Sequence, residues 1–113
     1  MKFLVLVYQD ESIWANATPA EQDQYYREHD AFSEAVKRAP VTLLAGEALL
    51  SVTHATTLRR RGDQLAVTDG PFAETAEQLG GFYLLDAPDL DTVTELVREL
   101  PEYTLEIRPV ADM

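Results

Sequence analysis

An α+β fold is predicted by three patterns: short β-branched and aromatic runs at both ends and in the middle of the chain, two amphipathic helical stretches between them, and turn-forming residues at the junctions. Lys2 to Tyr8 is apolar on both alternating sets, Phe3/Val5/Val7 and Leu4/Leu6/Tyr8, as a strand covered on both faces requires. Gln9 to Ala17 is a polar connection that carries Trp14, the only tryptophan. It exceeds the usual length of ~4–6 residues, which fits a rim or lid.

Thr18-Pro19-Ala20-Glu21 supplies a helix start, with Thr18 as cap, Pro19 at the first helical position and Glu21 returning a hydrogen bond. This helix ends before Pro40, and Tyr25, His29, Phe32 and Val36 form one inward stripe along it. Val41 to Gly46 reads as a second strand. Thr56–Arg61 and Gln64–Thr68 read as an exposed amphipathic hairpin turned at Gly62-Asp63. Asp69-Gly70-Pro71-Phe72 breaks that strand, and a short helical turn is expected over Phe72–Gln78. Gly81–Asp86 is a further strand, apolar on both faces. Asp89 caps a second helix with the stripe Leu90, Val93, Val97 and Leu100, and Tyr103–Val110 closes the chain as a strand.

Without the inserted hairpin the order is β-α-β-β-α-β, the ferredoxin-like split arrangement, in which two helices cover one face of a four-stranded antiparallel sheet. Two helices cannot cover both faces. The apolar second face is therefore expected to pack against a second copy, giving a two-fold homodimer; cover by loops is the alternative.

Residues 1–113 match the size of one domain. The absence of cysteine excludes disulfides, thiolate catalysis and Cys-based metal sites. A net charge of −11 repels phosphate backbones and anionic lipid, so neither nucleic acid nor membrane is an expected partner. The apolar run at the N-terminus is interrupted by Gln9, Asp10 and Glu11, too soon for a signal peptide, and a cytoplasmic location is expected.

The run Thr68-Asp69-Gly70-Pro71-Phe72-Ala73-Glu74-Thr75-Ala76-Glu77-Gln78-Leu79-Gly80-Gly81-Phe82-Tyr83 resembles the DGPF-motif branch of the YCII-related family. The likeness extends to the first strand, the His29/Phe32 pair, Leu44 to Leu49 and Ala55 to Arg59, and so covers nearly the whole chain. It departs from the motif at Ala76, where that family usually has lysine. The resemblance implies a dimeric α+β barrel with a cavity near the interface, in which a histidine and an aspartate approach each other. It also implies action on small aromatic compounds in some relatives, and an association of others with extracytoplasmic-function sigma factors.

His29 is the sharpest catalytic candidate, because imidazole titrates near neutrality and moves protons without a metal. A core histidine with satisfied nitrogens is the plainer alternative. Asp69, at a strand end, is positioned either to orient that ring or only to cap the turn through Gly70 to Phe72. Tyr8, Trp14, Tyr25 and Phe32 are candidate walls of a substrate cavity. Glu74 and Glu77 read as solvated, and Arg59-Arg60-Arg61 points to alternate faces of a strand. Glu28-His29-Asp30 cannot converge on one ion, since consecutive helical residues diverge by about 100°, and no metal or other cofactor is expected. Ser33 lacks a recognisable nucleophile elbow. Two functions remain open: a cofactor-independent enzyme using His29 and Asp69 on a small organic substrate, or a non-catalytic small-molecule-binding or regulatory partner protein.

Overall fold

The structure, a computed structural model, describes residues 1–112. Six strands and three α-helices follow in the order β1 (Lys2–Gln9), α1 (Glu11–Ala15), α2 (Pro19–Lys37), β2 (Thr42–Ala48), β3 (Thr56–Arg61), β4 (Gln64–Asp69), β5 (Gln78–Asp86), α3 (Leu90–Leu96) and β6 (Thr104–Pro109). Strands β2-β5-β1-β6 form an antiparallel four-stranded sheet, and β3-β4 form a separate hairpin. This is the expected α+β, ferredoxin-like order with an inserted hairpin.

Local chemistry fixes the helix ends. Thr18 Oγ1 accepts from the Glu21 amide at 3.2 Å while Glu21 Oε1 accepts from the Thr18 amide at 2.9 Å, a complete capping box. Asp89 accepts from the Thr92 amide at 2.8 Å and opens α3, which tightens into a 3₁₀ turn at Val97–Glu99 before Pro101. The hairpin turns at Gly62 with φ 58°, the first loop position at which glycine is favoured.

The core lies between the helices and one face of the sheet. The register sets Phe3 opposite Leu85, Val5 opposite Tyr83 and Ile107, and Val7 opposite Gly81 and Leu105. These residues share a face. Phe3, Val5 and Leu85 pack there against Phe32 and Val36 of α2 and Val93, Val97 and Leu100 after it. The other set, Leu4, Leu6 and Tyr8 with Phe82 and Leu84, is only half-buried and lies on the opposite face.

Two local expectations change. A short helix, α1, forms within the polar connection because Asp10 accepts from the Ser12 amide at 2.9 Å and caps it. The turn of helix expected over 72–78 is absent. Thr75 Oγ1 donates instead to the Glu77 carbonyl, Gln78 Nε2 donates to the Thr75 carbonyl at 2.6 Å, and β5 begins early by pairing Gln78 with Gln9. Among the described residues, no helix is long and apolar enough to cross a membrane.

Phe32 is 0% exposed, and truncation leaves a cavity in the middle of this core. Phe32→Ala is expected to lower unfolding free energy by about 3–5 kcal/mol, read as a reduced urea midpoint at unchanged slope.

Candidate active site

The stripe on α2 divides into two parts. Phe32 and Val36 enter the core, whereas His29 and Tyr25, one and two turns earlier, face a part of the sheet where the helix-facing residues are small: Gly46 and Ala48 on β2 and Gly81 on β5. Large side chains opposite small ones leave space. A cavity of about 610 Å³ opens there, reached by His29, Tyr25, Tyr83, Tyr103 and, from α1, Trp14. That volume lies in the usual range for small-molecule sites.

Both ring nitrogens of His29 are engaged: Nδ1 lies 2.6 Å from the Tyr83 hydroxyl and Nε2 lies 2.9 Å from the Tyr103 hydroxyl. Burial lowers the His29 pKa from its ordinary 6.5, against the opposing influence of the Glu28 and Asp30 carboxylates. The ring is therefore neutral near pH 7, with one donor and one acceptor. Hydroxyl donors make the shorter hydrogen bonds, so we assign Tyr83 as donor to Nδ1 and Nε2–H as donor to Tyr103. Burial also raises the Tyr83 pKa and pushes that of Tyr103 up to about 12, so both phenols keep their protons.

Gly46 is what admits the Tyr83 ring. A Cβ at this position would lie 2.7 Å from Tyr83 Cδ1 and 2.9 Å from Cε1, closer than carbon atoms can approach. On the other side of the site, Gln9 Nε2 donates to the Tyr25 hydroxyl at 2.8 Å, and Trp14 meets the rings of Tyr25 and Tyr26 edge-on at 5.5 and 5.7 Å. Glu11 anchors α1 at the mouth. Its amide donates to Gln78 Oε1 at 2.9 Å, and its carboxylate accepts from Ser51 Oγ at 2.9 Å and the Val52 amide at 2.8 Å.

His29, Trp14 and Tyr25 thus come together at the cavity. Phe32 lies behind it in the core, 4.8 Å from the Tyr83 ring. Tyr8 lies on the opposite face of the sheet, where its hydroxyl donates to Glu106 at 3.3 Å. Asp69 ends β4 on the hairpin and is exposed; it neither lines the cavity nor bonds the imidazole. The turn that follows it is stitched to β3: the Gly70 amide donates to the Ala55 carbonyl at 2.7 Å, Thr57 Oγ1 to the Gly70 carbonyl at 2.8 Å, and Arg59 to the Phe72 carbonyl at 3.0 Å. Among the described residues, no group of three His, Asp or Glu side chains is placed to hold a metal.

The two tyrosines that hold His29 escaped the sequence reading, although a signal was present. Tyr83 alternates with Leu85, and Tyr103 with Leu105 and Ile107, so each shares the helix-facing side and brings there a hydroxyl that needs a partner. His29 was the available one.

Fold and site define a small split β-α-β protein with an aromatic-walled cavity holding a neutral histidine. The chain belongs to the YCII-related family: the model of the YCII-related domain matches residues 1–113. It is also similar to an uncharacterised protein of Rhizobium meliloti (strain 1021), 38% identical over 120 residues that cover 98% of this chain and 93% of that one.

An NMR titration is expected to give His29 a pKa below 6.5, unmoved by Asp69→Asn because that carboxylate is not a partner of the ring. A depressed folded-state value means that the unfolded chain binds the proton more readily. The histidine's contribution to stability is therefore complete above pH 6.5 and declines as pH falls from there toward the folded-state pKa. Urea unfolding over that window should show the decline in wild type and a smaller one in His29→Asn. Gly46→Ala is expected to displace the Tyr83 ring and bring the His29 resonances closer to those of Tyr83→Phe.

Proposed function

We propose that the cavity binds a small organic molecule and that His29 moves protons on it without a cofactor. The observation that carries this reading is a neutral imidazole bonded on both sides by un-ionised phenols that also line the cavity. Such a chain passes a proton through with no net change of charge. At one end, a substrate C–H or O–H gives its proton to the Tyr83 oxygen while the Tyr83 proton moves to Nδ1. At the other, the Nε2 proton moves to the Tyr103 oxygen while the Tyr103 proton is delivered to the substrate. The substrate is isomerised, and His29 ends as its other neutral tautomer. This replaces Asp69 with two tyrosines as the partners of His29.

A second reading, binding without turnover in a sensor or regulatory partner of a sigma factor, is favoured by the fact that both nitrogens are already satisfied. Deuterium exchange separates the two. Carbonyl compounds that bind should exchange an α-proton in D₂O faster with the protein than without it, and His29→Asn or Tyr103→Phe should lower that rate by roughly 10²–10⁴-fold. Bound compounds that show no enhanced exchange would favour the second reading.

We also propose a homodimer through the uncovered sheet face, supported by the strip of Leu4, Leu6, Phe82 and Leu84 that no helix covers. Sedimentation equilibrium should give twice the 12.7 kDa chain mass, falling to the chain mass in Leu84→Glu. A wild-type monomer would contradict it. Zero cysteines and the acidic composition support a cytoplasmic setting.

A further inference from the structure

The cavity wall also defines the charge of what fits inside. Its only formally charged residues are Glu11 and Glu47, both acidic, and among the described residues it includes no lysine or arginine. The basic side chains lie elsewhere. Lys37 and Arg98 are exposed and paired with Glu34 and Glu95, Arg59 and Arg60 bond backbone carbonyls at the hairpin, and Arg108 sits beside Leu4 on the opposite face. His29, held neutral, supplies no positive charge either. A carboxylate or phosphate entering this space would lose its hydration without gaining a counter-ion, a costly transfer.

Ser51 and the Gln78 carboxamide are engaged with Glu11 and Thr75, and the Gln9 amide with Tyr25, which leaves the tyrosine hydroxyls as the donors facing the cavity. Tyr25 accepts from Gln9 and Tyr103 accepts from Nε2–H of His29, so each retains its own proton to give. Their rings lie side by side, with centroids 5.9 Å apart and planes inclined by 33°. Two neighbouring hydroxyl donors suit an acceptor oxygen, and the surrounding rings of Trp14, Tyr26 and Tyr83 suit a flat apolar body. The Glu11 carboxylate is occupied by Ser51 and Val52, and Glu47, which alternates with Gly46 and Ala48 on β2, sits on the opposite face of the sheet with Phe82, so neither is well placed to hold an ammonium group.

We infer that the ligand is an uncharged, planar molecule of one or two rings that presents a carbonyl-type oxygen to Tyr25 and Tyr103, and that carboxylates, phosphates and ammonium compounds are rejected. This rests on the ligand-binding reading above and narrows it. The test uses three probes of nearly equal shape, 2-naphthamide, 2-naphthoate and 2-naphthylmethylammonium, titrated into the full-length protein at neutral pH by calorimetry. The amide is expected to bind roughly tenfold or more tighter than either ion. Tyr25→Phe and Tyr103→Phe should each weaken the amide by about three- to tenfold and leave 2-methylnaphthalene unaffected. Equal or tighter binding of the naphthoate or of the ammonium probe would overturn the inference while leaving a ligand-binding cavity in place. Binding by none of the probes to folded protein would remove the ligand-binding reading and this inference with it.

Discussion

A half-buried imidazole held at both nitrogens joins three elements of the molecule: α2 through His29, β5 through Tyr83 and the segment entering β6 through Tyr103. The bond set lies where the apolar core ends. One and two turns further along α2, Phe32 and Val36 are held by close packing alone. Nearer the helix start, the sheet offers Gly46, Ala48 and Gly81, and packing cannot close the gap. Directional bonds hold the helix there instead, and the space they leave is the cavity. Leaving any of these half-buried polar groups unpaired would cost up to about 1–3 kcal/mol, so the three side chains support one another.

The same constraint explains the small residues around the site. The Tyr83 hydroxyl reaches Nδ1 only because its ring lies over Gly46, where any Cβ would collide with it. Gly81 admits an equally close approach, since a Cβ there would lie 2.9 Å from the Glu47 carbonyl oxygen of the adjoining strand. Trp14 and Tyr26 complete the rim because α1 is tied through Glu11 to both β5 and the segment after β2. A sheet covered by two helices on one face thus carries its cavity on that covered face. On the other face, Leu4, Leu6, Phe82 and Leu84 are left half-buried, and on the hairpin Leu58, Leu65 and Val67 are each 58% exposed.

Patterns that act over a few residues were legible in the sequence. The Thr18–Glu21 capping box, the Asp89 cap, the hairpin at Gly62 and the double alternation of β1 all depend on near neighbours, and they sufficed for the α+β, ferredoxin-like order. The inward stripe of α2 placed His29 and Tyr25 correctly toward the sheet. It could not separate the residues that pack, such as Phe32, from those that border a cavity, because that depends on glycines in β2 and β5, distant in sequence. The same limit applies to the partners of His29. Asp69 stands out in its motif, yet its strand belongs to the hairpin rather than to the main sheet, while Tyr83 and Tyr103 reach the imidazole across 54 and 74 residues of chain. The expected helical turn near Thr75 failed for a local reason, since side-chain bonds to the backbone there compete with helix.

The central claim is that His29 is a neutral ring that accepts from Tyr83 and donates to Tyr103. Two-dimensional ¹H–¹⁵N correlation of its imidazole through long-range couplings, recorded at neutral pH, tests this most directly. The account predicts two well-separated nitrogen signals, with the protonated one assigned to Nε2 and a hydrogen-bonded acceptor at Nδ1. Two nearly equivalent, protonated nitrogens would mean a charged imidazolium, and would contradict both the bonding scheme and the proton path built on it.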